Sequence, residues 1–277
     1  MGFRINTNVP SLAAQRSLEV NSSQREQSLS KLSSGTRINR SADDAAGLAI
    51  SEKLKATIRS TDQATRNAND GISMIQVAEG GLNEASNILI RMRELGMQSS
   101  SDTVGDSERK FTDLEYQNLK EEVERISQVT EFNGMKLLNG EAEKYDFQIG
   151  VNNDDFQDRI QYNASMSNST ASSLGIDSLE VASKEGAQAS LASVDNAIQN
   201  ISGQRANLGA VQNRLTSTVQ NLQVTSENLS SANSRIRDTD YAAETAKQTK
   251  LNILTQAGTS VLGQANTSSQ AALKLIG

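Results

Sequence analysis

The 277-residue chain contains no cysteine, no histidine and no tryptophan, and its only proline is Pro10. Without thiols or imidazoles it has no disulfide framework, no thiolate or imidazole metal site, and no Cys/His or Ser/His nucleophilic centre. Aromatic residues make up only 3% of the chain. That is too few for a β-sandwich or for a sheet core built on large inward rings, and it favours helices packed through small aliphatic side chains. No run of about 18 apolar residues is present for a membrane span. The opening residues Met1-Gly2-Phe3-Arg4-Ile5-Asn6 hold no apolar core of signal-peptide length, so if the protein leaves the cell it is expected to do so by another route. The 27 basic residues are outnumbered by 33 acidic ones, for a net charge of -6, which argues against a nucleic-acid binder driven by phosphate neutralisation.

What is present is heptad periodicity. Val194, Ile201, Leu208, Leu215, Leu222, Leu229 and Ile236 recur at intervals of seven and predict one seam of a long helix. A second seam three residues earlier, through Leu191, Ile198 and Val219, is only partly apolar. Nearer the start, Leu54, Ala68, Ile75, Leu82 and Leu89 share a register, flanked by Ala78, Ala85 and Met92, and predict a helix over about 43–99 that partners the first. Phe111, Leu114, Leu119, Val123 and Ile126 mark a shorter helix ending before Asn133-Gly134. The bundle core is therefore expected to comprise Leu54, Ile75, Leu82, Leu89, Val194, Ile201, Leu208, Leu215, Leu222 and Leu229.

Around Asn139-Gly140 the period changes to two. Tyr145, Phe147 and Ile149, then Ile160 and Tyr162, alternate with polar residues and predict a β-hairpin within about 140–165. The Ser/Asn/Thr-rich segment 163–173 reads as a surface loop. The fold class is mainly α, a long antiparallel helical bundle or coiled coil with a small β-hairpin region. Ser41-Ala42-Asp43-Asp44 reads as a helix start rather than half of an acid pair, since acids suit the first turn of a helix. Asn69-Asp70-Gly71 resembles a calcium-loop fragment but lacks the second carboxylate cluster that a calcium site needs. No catalytic, cofactor-binding or metal-ligating set emerges. The two ends carry sparse apolar stripes that suit thin amphipathic helices awaiting a partner.

The residues also carry a family resemblance. Ile5-Asn6-Thr7-Asn8, Ala14-Gln15-Arg16, Leu32-Ser33-Ser34-Gly35 and Arg37-Ile38-Asn39 closely resemble the N-terminus of bacterial flagellin. So do Ala42-Asp43-Asp44-Ala45-Ala46-Gly47-Leu48, Arg66-Asn67-Ala68-Asn69-Asp70-Gly71 and Arg91-Met92-Arg93-Glu94-Leu95. Ser234-Arg235-Ile236-Arg237-Asp238-Thr239-Asp240-Tyr241 is similar to the matching C-terminal element. Two departures are Pro10, where the family is usually non-proline, and a C-terminal tail without the usual proline.

The resemblance implies a non-enzymatic structural subunit that self-assembles into the helical flagellar filament used for motility, in a minimal form without variable outer domains. Residues 1–42 and 236–277 would form paired terminal helices of an inner tube, and residues 43–235 the central bundle. Ile5, Val9, Leu12, Leu18, Leu29, Leu32, Leu254, Val261, Leu262 and Leu275 would be inner-tube interface. The implied partners are other copies of the chain, the flagellar export apparatus and an export chaperone, and the filament cap and hook-junction proteins, with no cofactor, nucleic acid or membrane. Arg91, Leu95 and Glu115 match flagellin positions contacted by an animal Toll-like receptor, and in a filament they would meet a neighbouring subunit. The implied location is the secreted, extracellular filament. The alternative is a hook-filament junction protein with flagellin-like termini. A carboxylate-only hydrolase is the rival from another class, and no spacing of acids supports it.

Overall fold

The computed structural model describes residues 7–141 and 144–274, with side chains described as far as residue 267 at the C-terminal end. In chain order the elements are α1 (Val9–Ser34), α2 (Ala45–Ser99), α3 (Asp106–Val129), β1 (Glu131–Phe132), β2 (Met135–Lys136), β3 (Tyr145–Gln148), β4 (Arg159–Tyr162), a 3-10 turn (Ala164–Ser167), α4 (Lys184–Arg237) and α5 (Tyr241–Lys274). They form two compact units, one of residues 57–227 and one joining the residues up to 56 with those from 228 onward. The long helices α2 and α4 run through both. The divisions fall at 56/57 and 227/228, inside these helices, whereas the sequence pattern suggests breaks near 42 and 236. None of the described helices is long and apolar enough to cross a membrane.

In the unit of residues 57–227, α2 and α4 pair antiparallel. Arg93 bonds Asp195 (2.5 Å), Arg205 approaches Glu79 (3.7 Å), and the Ser226 hydroxyl donates to Asp62 (2.9 Å). On α2 the buried positions step by three and four through Ala68, Gly71, Ile75, Ala78, Leu82, Ala85, Leu89 and Met92. Small residues alternate with large ones, so the backbones approach closely while Ile75, Leu82 and Leu89 fill the seam. On α4 the heptad of Val194, Ile201, Leu208 and Leu215 is fully buried, as the sequence predicts. Ala197 and Val211, three residues after the first row, are buried beside it, while of the expected second row Ile198 and Val219 pack partly buried against the core and Leu191 is half-buried. Leu222 in this unit, and Leu54 and Leu229 in the other, are half-buried, because two paired helices alone cannot close a leucine off from solvent.

The third helix lies back along α2. Arg109, only 7% exposed, donates from Nε to the Ser99 carbonyl (2.9 Å) and from Nη2 to that of Ser101 (2.9 Å). Its guanidinium thus closes the C-terminal end of α2, where carbonyls lack helical partners and the dipole favours a cation. The buried face of α3 is Arg109, Tyr116, Val123 and Ser127. Phe111 and Leu114, expected on that face, are 72% and 63% exposed.

Two hairpins complete this unit. β3 and β4 pair antiparallel with Tyr145 opposite Tyr162 and Phe147 opposite Ile160, as the alternation predicts. Phe147 packs on Gly71, where an added Cβ would stand 2.9 Å from the ring, and Asn67 donates to the Gln148 carbonyl (3.0 Å). The sequence reading missed the smaller hairpin β1-β2. Asn133 (φ 50°) and Gly134 (φ 78°) turn it, both in the left-handed region that an Asn-Gly hairpin turn requires. Residues 163–173 are not simply a surface loop. Ala164, Ser167, Ser169 and Ala171 are buried, because small side chains let this segment lie flat against the core.

Candidate functional site

The unit of residues up to 56 and from 228 onward is built on α1 and α5. Asn8 caps α1 by accepting from the Ser11 amide (3.1 Å), and Pro10 lies in the first turn, where no intrahelical N–H bond is lost. The family departure at Pro10 is therefore compatible with the helix. Gly35, at φ 69°, ends it. The helices run antiparallel: Asn8 donates to the Ala265 carbonyl (2.9 Å), Ser11 to Asn266 (2.9 Å), and the Ser28 hydroxyl to the Glu244 carboxylate.

Each helix turns one heptad seam toward the other. On α1 it runs Ser11, Ala14, Leu18, Asn21, Arg25, Ser28 and Leu32; on α5 it runs Glu244, Gln248, Leu251, Thr255, Gly258, Leu262 and Ala265. The period is that of a coiled coil, but most seam positions hold polar or small residues. Leu251, at 4% exposure, is the buried leucine of the pair, and Leu18 seats over Gly258.

At the other end of the pair the two linkers are tied together. Thr36 and Asp238 form an isolated antiparallel bridge. The Arg37 amide donates to the Arg237 carbonyl (2.6 Å) and the Thr239 amide to that of Gly35 (3.0 Å). The Arg37 guanidinium donates to the Ile236 carbonyl (2.8 Å), and Arg237 pairs with Glu52 (2.5 Å). Ile38, 1% exposed, follows the bridge and packs on Gly47 in the first turn of α2, where an added Cβ would stand 2.8 Å from its Cδ1.

At the start of α2, Asp44 is the cap, accepting from the Gly47 amide (2.8 Å), while Asp43 turns back to accept from Asn39 (3.1 Å) and Arg40 (3.0 Å). Ser41, expected to supply a capping hydroxyl, makes no such bond among the described residues. The two backbone amides hold the Asp43 carboxyl below its ordinary pKa of 3.8.

The residues expected at an assembly interface divide into two sets. Leu18, Leu32 and Leu262 are half-buried in the α1-α5 seam. Val9, Leu12, Leu29 and Val261 are 52–58% exposed and Leu254 is 39% exposed, all of them off the seam. Ile5 and Leu275 lie outside the described residues. Val20 (50%) and Ile253 (62%) join the exposed set, and the sequence reading missed them. The polar seam residues Ser11, Ser28 and Glu244 were missed as well. The signal was their spacing, which a search for leucine and isoleucine passes over.

Arg91, Leu95 and Glu115 are only partly brought together. Arg91 donates from Nε and Nη2 to Glu115 (3.0 and 2.8 Å) and from Nη1 to Glu94 (2.9 Å). These bonds, with the Glu115 bond largest, hold the guanidinium above its ordinary pKa. Leu95 is 2% exposed and belongs to the bundle core, so the expected exposed apolar anchor is not there. A side chain three residues after Met92 and four before Ser99 falls within the buried stripe. Among the described residues no group of carboxylates is placed to hold a metal ion.

This architecture agrees with the comparisons to known proteins. Residues 5–143 match the family model of the bacterial flagellin N-terminal helical region and residues 191–276 that of the C-terminal helical region. A flagellin from Halalkalibacterium halodurans is 44% identical, covering 98% of this chain and 99% of that one. The crystal structure of Bacillus cereus flagellin is 30% identical with a TM-score of 0.50, covering 57% of this chain and 88% of that one. A structure described as a flagellar hook-associated protein from Vibrio parahaemolyticus shares the fold at 17% identity, with a TM-score of 0.57, covering 71% of this chain and all of that one. With both terminal regions matched and full-length identity of this order, the chain belongs to the bacterial flagellin family.

Proposed function

We propose that this chain, a structural subunit of the flagellar filament, polymerises through the outer faces of its α1-α5 pair, while the unit of residues 57–227 supplies a prefolded bundle. One observation carries the reading. The seam between α1 and α5 is built mostly of polar or small residues, while Val9, Leu12, Val20, Leu29, Ile253 and Val261 stand at least half exposed on the same two helices. Ordering this many residues costs about 1–2 kcal/mol each, more than a seam with few leucines returns, so burial against neighbouring copies supplies the remainder. In the free chain both terminal helices are therefore unfolded. The family is structural, and the chain is not an enzyme. It leaves the cell unfolded through the flagellar export apparatus, handled by an export chaperone, and joins the filament beneath its cap. The absence of thiols suits such a passage. A role at the hook junction is favoured by no particular observation, since the hook-associated structure shares the fold alone.

The test is to truncate the chain after residue 256. The seam residues of the bundle all lie before the cut, so helical signal and a cooperative bundle transition should persist while polymerisation is lost. Filaments formed normally by the truncated chain would refute the assignment. Recognition by an animal Toll-like receptor would rest on the half-exposed Arg91–Glu115 pair of the monomer, with Leu95 contributing from beneath. The double substitution Arg91→Ala and Glu115→Lys should abolish receptor signalling by monomer, and full signalling by that variant would refute this contact.

A further inference from the structure

In the unit of residues 57–227, the segment after β4 and the outer face of α4 enclose a groove of about 340 Å³. Ligand pockets are usually about 300–1,000 Å³, so there is room for a small molecule. On α4 the helical spacing puts Asn200, Gln204 and Asn207 on one face, and Gly203 among them leaves the floor as bare backbone. Beyond its own stretch of helix, no atom among the described residues stands within 4 Å of where a Gly203 Cβ would be. The facing wall includes Met166 and Asn168.

The chemistry of these walls is neutral hydrogen bonding. None of the lining residues bears a charge, in a chain of which 22% is charged. The Asn168 side-chain oxygen accepts from the Thr170 amide (3.0 Å) and hydroxyl (2.8 Å), and Gln204 Nε2 donates to the Asn168 carbonyl (3.0 Å), so wall and floor are fixed to each other. Asn200 and Asn207 are exposed, and their side-chain amides have no hydrogen-bond partner among the described residues. Gln204 Oε1 is buried and is also without one. Each carboxamide offers two donors and an acceptor. Met166, 60% exposed, adds apolar surface.

We infer that this groove binds a neutral pyranose unit of a glycan. Neighbouring hydroxyls on a sugar ring, each both donor and acceptor, match the paired donor and acceptor of a carboxamide. Asn200 and Asn207 reach the ring from one turn to either side of Gly203, whose missing side chain lets the ring lie on the helix with its C–H face toward Met166. A ring hydroxyl supplies the donor that Gln204 Oε1 lacks, with a small turn of that side chain. A phosphate, a carboxylate or a cation would be desolvated here without a counter-charge. An extended peptide is held by the backbone ladder of a strand edge, which a helix face does not offer. Because Asn200, Gly203 and Asn207 are exposed, a ring at the end of a longer glycan can enter while the rest stays outside. The site lies wholly within the unit of residues 57–227 and does not depend on how the α1-α5 pair assembles.

The experiment titrates the isotope-labelled full-length monomer with the methyl glycosides of glucose, galactose and N-acetylglucosamine, following the backbone amides of residues 200–207 and the Gln204 side-chain amide by NMR. At least one glycoside should shift these resonances with a dissociation constant of about 1–10 mM, the weak affinity of an open groove. Gly203→Leu covers the floor with a good helix former, so it should weaken binding about tenfold or more while the urea midpoint of the bundle holds or rises. Asn200→Ala combined with Asn207→Ala should weaken binding to a similar degree, with the midpoint unchanged. Glucuronate, the same ring bearing a carboxylate, should bind more weakly than methyl glucoside. The assignment is overturned if none of the three glycosides moves the resonances at up to about 50 mM, if Gly203→Leu binds as the wild type does, or if glucuronate binds more tightly. A response to free N-acetylglucosamine that its methyl glycoside does not reproduce would overturn the glycan as the source, and a response to trialanine but to no sugar would make the groove a peptide site instead.

Discussion

Replacing Leu251 by alanine separates the two units energetically. Leu251 is the buried leucine of the α1-α5 seam, at 4% exposure, and its neighbours along α5 in that seam are Gln248 and Thr255. A buried Leu→Ala change costs about 2–5 kcal/mol, and a pair of helices free to shift together should fall near the low end, about 2.5 kcal/mol. Since every subunit added to a filament must form this pair, the loss appears as a rise in critical concentration of roughly fifty- to hundredfold, at about 1.4 kcal/mol per decade. The same substitution should leave the bundle's urea midpoint unchanged, because Leu251 lies outside the unit of residues 57–227. Leu208→Ala should do the reverse. At 1% exposure in the α4 seam, its loss lowers bundle stability by about 3 kcal/mol. Sedimentation of seeded mixtures measures the first effect and urea denaturation followed by circular dichroism the second. If Leu251→Ala elongates filaments at the wild-type concentration, or shifts the bundle transition as far as Leu208→Ala does, the division of labour between the units is wrong.

Arg109→Ala should destabilise the bundle by about 3 kcal/mol, since it removes a buried guanidinium that holds two carbonyls at the end of α2, and Arg109→Lys should rescue little of it because an ammonium cannot reproduce the fork; a loss below about 1 kcal/mol in urea denaturation would contradict the capping role. For Asp43, whose folded pKa is depressed by the Arg40 and Asn39 amides, the contribution to the 39–44 turn is present above the unfolded value of 3.8 and lost as pH falls through the lower folded one. A carboxyl resonance titrating at or above 3.8 in the folded protein would show those hydrogen bonds to be absent.

The sequence made some parts of this structure legible and hid others, for identifiable reasons. The α4 heptad from Val194 to Leu215 could be read directly, because each position is a β-branched or γ-branched aliphatic and nothing competes with the period. The β3-β4 hairpin could be read from Tyr145, Phe147, Ile160 and Tyr162 because its alternation is uninterrupted. The turn at Asn133-Gly134 was seen as the end of a helix, since strands of two residues each are too short to show a period. Phe111 and Leu114 were misplaced because they are apolar, while the residue that holds α3 in place is Arg109, whose buried role depends on carbonyls at the end of another helix. The α1-α5 seam escaped for the opposite reason. Polar and small residues fill most of it, so the period that defines it carries little hydrophobic signal.

The clasp between Thr36 and Asp238 bears on the order in which the molecule comes together. The two residues are about 200 positions apart, and closing a flexible loop of that length is slow and entropically unfavourable for a chain still unfolded. Once α2 and α4 have zipped antiparallel, however, the start of one and the end of the other are already held side by side, as the Glu52–Arg237 pair shows. The bridge then joins neighbours instead of closing a long loop. From that point α1 and α5 meet at the high effective concentration of two arms on a short tether, in the manner of a hairpin rather than of two separate strands. A seam too weak to order the two ends by itself then asks less of the neighbouring copies, because the arms they order have already been delivered to the same place.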